Sequence, residues 1–286
     1  MKLYAPSTIK EIRERFGFRF SKSLGQNFLT DKNIIDQILQ GSEISENDLV
    51  IEIGPGIGVI TREAAEIAKK VIAIEIDSDL IPILDYTLSD LENVEIINQD
   101  VLKTQINDLI EKEDFSGSVR VIGNLPYYIT TPIIMKLLEE HTGADSITVM
   151  MQKEVADRLK AGPGKKDYGA ISLMVQYYAE VREIVSVPRT VFVPQPKVDS
   201  TVLRLDIRDE KPVDVMDEDF LFKVIKAGFG QRRKTLSNSL SVLEGFDKKT
   251  ILSGLEEAGI DPIRRGETLD LKEFASLSDS LLKRRT

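Results

Sequence analysis

Asp48-Leu-Val-Ile-Glu-Ile-Gly-Pro-Gly-Ile-Gly58 reads as a strand that runs straight into a glycine-rich turn. Leu49–Ile53 is a short, apolar, largely β-branched run, the pattern of a strand buried on both faces. Gly54, Gly56 and Gly58 allow a tight turn and let the backbone approach a ligand with no Cβ in the way. A helical pattern over Val59–Ala68 follows. Strand, turn and helix together open a nucleotide-binding α/β unit. A dinucleotide fingerprint places its third glycine three residues past the second, whereas Gly58 comes two past Gly56.

The form Glu52-x-Gly54-x-Gly56-x-Gly58 resembles the first motif of class I S-adenosylmethionine methyltransferases. On this motif alone, a nicotinamide dinucleotide and a purely structural turn stay open. Working outward, Val71–Ile76 gives a second strand ending in Glu75, whose carboxylate is placed to accept from both ribose hydroxyls of an adenosine. Val94–Asn98 gives a third, followed by Asp100, an acceptor suited to an adenine amino group. Val119–Gly123 runs into Asn124-Leu125-Pro126-Tyr127, Ser146–Met151 is the fifth strand, and Glu180–Val187 and Val198–Ile207 close the set. Alternation in the last suggests a half-buried antiparallel edge. Ahead of the glycine turn, Thr8-x-x-Glu11 looks like a capping box for a helix ending near Gly17. Thr30 or Asp31 can cap a second helix, with Ile34, Ile35, Ile38 and Leu39 on one face and Gly41 as its stop. Beyond residue 212 the spacing is helical throughout. The expected architecture is α/β: a Rossmann-like, doubly wound sheet with an antiparallel edge hairpin over residues 1–208, then a small all-helical domain over 212–286.

Composition narrows the chemistry. With no cysteine, the chain has no disulfide, thiolate nucleophile or Cys-based zinc site, and the single His141 cannot anchor a multi-histidine metal site. No run approaches the ~18 apolar residues of a membrane span, and no secretory signal core is visible at the N-terminus, so a cytoplasmic protein is expected. The net charge of −9 argues against a non-specific polyanion binder. Yet residues 1–28 are locally basic, and Arg232-Arg233-Lys234 sets three cations side by side, either a solvated face or a contact for RNA phosphates.

Asn124-Leu125-Pro126-Tyr127 stands at the carboxyl end of the fourth strand, where ligands of such sheets bind. An aromatic amino group is a poor nucleophile because its lone pair is delocalised into the ring. Acceptors aimed at its hydrogens, here the Asn124 side-chain oxygen and the Leu125 or Pro126 carbonyl, favour the pyramidal nitrogen that forms during attack. Tyr127 offers a face on which an extruded base can stack. A general base is not obligatory, so the lack of histidine and cysteine chemistry is no obstacle.

Gln26-Asn-Phe-Leu29, the glycine motif, Glu75-Ile-Asp77, Gln99-Asp-Val101, Gly123-Asn-Leu-Pro-Tyr127 and Phe192-Val-Pro-Gln-Pro-Lys-Val-Asp-Ser200 occur in order. Together they resemble the rRNA adenine dimethyltransferase family, and Phe229-Gly-Gln-Arg-Arg-Lys-Thr-Leu-Ser-Asn-Ser-Leu240 resembles its small-subunit branch. The resemblance implies transfer of methyl groups from S-adenosylmethionine, without a metal, to N6 of two adjacent adenosines in the 3′-terminal hairpin of 16S rRNA. It implies a monomer working on an immature small ribosomal subunit. It assigns cofactor contacts to Asn27, Leu29, Gly54, Glu75, Asp100 and Asn124. The base pocket falls to Asn124–Tyr127 with Phe192 as a second stacking face, and RNA docking to Arg232, Arg233 and Lys234. Competing readings are a large-subunit enzyme of the macrolide-resistance type, an assembly factor whose binding outweighs its catalysis, and a nicotinamide-dependent oxidoreductase. The last has the wrong glycine spacing and no proton donor in its pocket.

Overall fold

In the computed structural model, residues 1–21, 24–113, 115, 117–231 and 233–284 are described. The chain forms two compact units, one of residues 1–156 with 181–207, the other of residues 157–180 with 208–286. Segment 157–180, which the sequence places with the sheet, groups with the helices.

The first unit is built on a seven-stranded sheet. In chain order the strands are β1 (Phe28–Leu29), β2 (Leu49–Ile53), β3 (Lys70–Glu75), β4 (Val94–Asn98), β5 (Val119–Asn124), β6 (Ser146–Gln152), β7 (Ala179–Val187), β8 (Phe192–Val193) and β9 (Ser200–Ile207). Their order across the sheet is β4-β3-β2-β5-β6-β9-β7. Strands β4 to β6 are parallel, with Ile53 opposite both Ile74 and Gly123. All five residues of β2 are buried, Glu52 among its four apolar residues included. The order reverses between β2 and β5, and that switch point sets the Gly54 turn beside Asn124.

The last strand differs from expectation. β9 is antiparallel to β6 but lies inside the sheet, and β7 is the edge. Its polar positions are buried too: Ser200 and Thr201 are covered, and Arg204, 3 % exposed, is satisfied by Glu43, Asp206 and the Gly41 carbonyl. Polar alternation therefore marks here a strand whose Ser200 and Arg204 find partners inside the protein, not a solvent face. A small second sheet also forms, β1 pairing antiparallel with β8, Leu29 opposite Phe192.

Helices α1 (Pro6–Phe16) and α2 (Lys32–Ser42) precede β2. α1 starts at Pro6, so the Thr8 capping box is not its N-terminus, although Gly17 does cap its end at φ 63°. Asp31 caps α2 by accepting from the Asn33 and Ile34 amides, and Ile34, Ile35, Ile38 and Leu39 are buried as expected. Gly41 does not stop α2. It lies within the last turn because Ile184 packs there, and a Cβ would sit 2.4 Å from that side chain. Helices α3 (Val59–Ala65), α4 (Ile81–Thr87), α5 (Ile106–Glu111) and α6 (Thr130–Glu139) connect the parallel strands.

α7 (Lys153–Lys160) straddles the boundary, and α8 (Ala170–Tyr178) belongs to the second unit. There it accompanies α9 (Glu218–Phe229), α10 (Leu236–Ser239), α11 (Lys248–Glu257) and α12 (Leu271–Leu282). Their core gathers Phe220, Phe222, Phe246 and Phe274. Among the described residues no helix is long and apolar enough to cross a membrane.

Candidate active site

A cleft of about 1020 Å³, counting space open to solvent, lies in the first unit at the carboxyl ends of β2, β3 and β5. Gly54, Gly56 and Gly58 all have positive φ, at 71°, 63° and 86°, a region L side chains rarely occupy. A Cβ on Gly56 would also sit 2.9 Å from the Phe28 ring, so glycine lets β1 close over the turn. Gly54 donates its amide to the Ile74 carbonyl at 3.0 Å, joining the turn to β3.

Glu75 ends β3 with its carboxylate facing this turn. Oε1 accepts from the Asp77 amide at 2.9 Å and Oε2 from the Gly56 amide at 3.3 Å. Burial pushes its pKa up to about 7, against the pull of those amides. Asp100 caps a short turn by accepting from the Leu102 amide at 3.0 Å, and it also lines the cleft. Asp77 accepts from Gln26 Nε2 at 2.6 Å, and this bond fastens the loop carrying Gln26, Asn27 and Leu29 to the acidic side. Asn27 and Leu29 line the cleft beside Gly54.

On the opposite wall, Asn124 donates Nδ2 to the Asn27 carbonyl at 2.9 Å. That bond orients the amide and keeps its oxygen for a ligand. The two backbone acceptors left open by the sequence are distinguishable. Pro126 O already accepts from the Ile129 amide at 3.1 Å and from Thr130 Oγ1 at 3.0 Å, which makes the Leu125 carbonyl the better candidate for the second acceptor. Tyr127 lines the cleft, half-buried, and its hydroxyl shares a 2.8 Å hydrogen bond with Ser200 Oγ. Burial pushes the phenol upward, so it stays protonated.

Phe192 is not brought to the cleft wall. Pairing of β8 with β1 puts its ring in the core, 3 % exposed, where it presents no open face in this conformation. Arg232 lies outside the described residues. Arg233 and Lys234 are exposed on the second unit, in a turn between α9 and α10 rather than on a helix.

Two residues of the site were given no role from sequence. Ser200, buried at the start of β9, holds Tyr127. Glu52, 1 % exposed at the end of β2, lines the cleft with Oε2 unpartnered among the described residues. Burial pushes Glu52 up to about 8, eased by the Thr61 hydroxyl and reinforced by the charge of Glu75. Its signal was present: an acidic residue inside a fully apolar strand, two positions before the glycines.

The donor set fits S-adenosylmethionine. Glu52, Glu75 and Asp100 put carboxyl groups where a cationic ligand with a ribose and an adenine can use them. Ile74, Ile76, Leu80 and Val101 supply an apolar wall for the base. Among the described residues no cluster of three or more histidines and carboxylates could hold a metal ion.

Residues 17–277 match the family described as ribosomal RNA adenine dimethylase. The ribosomal RNA small subunit methyltransferase A of Clostridioides difficile is 55 % identical over 278 residues, covering 97 % of this chain and 96 % of that one. Among solved structures, a dimethyladenosine transferase from Plasmodium falciparum is similar with a TM-score of 0.75 at 28 % identity, covering 87 % of this chain and 95 % of that one. The 23S rRNA methyltransferase ErmE is similar with a TM-score of 0.67 at 26 % identity, covering 89 % and 99 %.

Proposed function

The chain belongs to the ribosomal RNA adenine dimethylase family, and we propose that its cleft dimethylates N6 of two adjacent adenosines in the 3′-terminal hairpin of 16S rRNA, within an immature small subunit. It is a methyltransferase that uses S-adenosylmethionine and acts on adenine of small-subunit rRNA. Identity of 55 % to a small-subunit enzyme, against 26 % to a 23S enzyme, favours this substrate over large-subunit rRNA.

Bound S-adenosylmethionine supplies an electrophilic methyl group with a neutral thioether as leaving group. Glu75 accepts from the ribose hydroxyls and Asp100 from the adenine amino group, with Asn27, Leu29 and Gly54 closing around them. For the target adenine, Asn124 Oδ1 and the Leu125 carbonyl accept the two N6 hydrogens and draw the lone pair out of conjugation. Tyr127 stacks on the base, its phenol anchored by Ser200. Protonated and already hydrogen-bonded, that hydroxyl is not a base; the methylated nitrogen loses its proton to solvent. Arg232, Arg233 and Lys234 contact RNA phosphates from the other unit. On this reading the protein works as a cytoplasmic monomer.

The observation that carries the proposal is the pair of acceptors left by the wall itself: an Asn124 amide oriented by its nitrogen's bond to the Asn27 carbonyl and a Leu125 carbonyl beside a Pro126 carbonyl already occupied. Asn124→Ala should lower the first transfer by about 10²–10³-fold, the effect of deleting one transition-state hydrogen bond. Mass spectrometry of rRNA digests would measure it, and a wild-type rate would overturn the assignment.

A further inference from the structure

Of the seven tyrosines and eleven phenylalanines in the chain, Tyr128 alone is exposed, at 63 %. A single exposed ring on an open surface needs no explanation. This one stands on the rim of the cleft, next in sequence to Tyr127, which also lines it. The two neighbours have opposite fates. Tyr127 is drawn inward by its bond to Ser200. Tyr128 sits at the centre of the turn that the Ile129 amide and the Thr130 hydroxyl fix onto Pro126 O, so its backbone is held while its ring faces out. The loop at Gly25, with φ 63°, passes beneath it. A Cβ there would lie 3.5 Å from Pro126 Cβ and 4.0 Å from the Tyr128 ring.

A base that enters the pocket gives up stacking on its neighbour in the strand. The neighbour is left with an open face at the rim, where an aromatic ring can replace the lost contact. We propose that Tyr128 is a second base subsite, a platform on which the nucleotide adjacent to the target stacks while its partner is methylated. The inference rests on the reading that the target is one of two adjacent adenosines. The platform then takes the nucleotide on one fixed side of whichever adenosine occupies the pocket.

The test uses the full-length protein, labelled S-adenosylmethionine and small ribosomal subunits that lack the modification. Tyr128→Ala should lower kcat/KM for subunits by about 5- to 150-fold, the range for loss of one stacked base. Affinity for S-adenosylmethionine and the melting temperature should stay at wild-type values. Tyr128→Phe and Tyr128→Trp should recover most of the loss, because stacking needs only the ring. Tyr128→Leu should not, because it keeps the apolar bulk without a π face. Undiminished kcat/KM in Tyr128→Ala would overturn the subsite. So would recovery by Leu equal to that by Phe, which indicates an apolar contact with a protein, or a parallel fall in cofactor affinity, which makes Tyr128 part of the cofactor wall. If the wild-type protein left these adenosines unmethylated, the reading beneath the proposal would fail first, and the subsite with it.

Discussion

Replacing Glu52 by Gln removes a titration from the floor of the cleft. The carboxyl is 1 % exposed, and burial, reinforced by the Glu75 charge, raises its pKa from 4.5 to about 8. In the unfolded chain it ionises near its ordinary value, so between the two values unfolding releases a proton that the folded protein keeps. The raised folded value therefore contributes stability that is complete below the unfolded pKa and is lost as pH climbs to the folded one. Each pH unit in that window removes about 1.4 kcal/mol, and the whole window about 4–5 kcal/mol. Glu75, raised from 4.5 to about 7, adds a second and shorter window of the same sign. Gln has nearly the volume of Glu and no charge at any pH. Urea unfolding followed by circular dichroism, at several pH values between about 5.5 and 8.5, gives the slope of stability against pH. Wild-type protein should lose stability steadily across that range, and Glu52→Gln should have a slope shallower by about one proton. Equal slopes in the two proteins would refute the argument, because Glu52 would then titrate alike in the folded and unfolded chains.

Other outcomes follow from the remaining site residues. Glu75→Ala should weaken S-adenosylmethionine binding by about 1–3 kcal/mol in titration calorimetry, the loss of hydrogen bonds to a charged acceptor; unchanged affinity would remove Glu75 from the ribose site. Arg233→Ala with Lys234→Ala should weaken binding to small subunits and flatten its salt dependence, since fewer phosphate contacts release fewer counterions. An unaltered salt slope would assign the turn to packing. Tyr127→Ala should let monomethylated adenosine accumulate, because after one transfer a single N6 hydrogen remains and stacking must hold the base. Ser200→Ala should shift the ratio the same way by freeing the ring, and a wild-type ratio of mono- to dimethyladenosine at partial conversion in both variants would contradict this account. Phe192→Ala should also open a core cavity costing about 3–5 kcal/mol, which its melting temperature would register.

Local patterns carried most of the fold. Leu49–Ile53 and Val119–Gly123 were legible as buried strands because an apolar run between turn residues has few other uses, and the glycine motif located the switch point between them. Asn124–Tyr127 was legible because its place at a strand's carboxyl end follows from topology. What failed depended on distant partners. Nothing near Thr201 or Arg204 reveals that β7 will cover β9, and the ion pairs that make Arg204 tolerable inside come from Glu43 and Asp206. Phe192 looked available for stacking until β8 met β1 across more than 160 residues of chain. Choosing Leu125 over Pro126 as the acceptor required knowing that Thr130 turns its hydroxyl back onto the Pro126 carbonyl. Glu52 was visible and passed over, since a charged residue in an apolar strand signals function only once its burial and missing partner are known.

Incubation of the protein with methyl-labelled S-adenosylmethionine and small ribosomal subunits lacking the modification, followed by digestion and mapping of the label, tests the whole account. Label should appear as N6,N6-dimethyladenosine at two adjacent adenosines near the 3′ end of 16S rRNA, with large subunits unlabelled in a parallel reaction. Label confined to large-subunit rRNA, to a pyrimidine, or to an atom other than adenine N6 would contradict it.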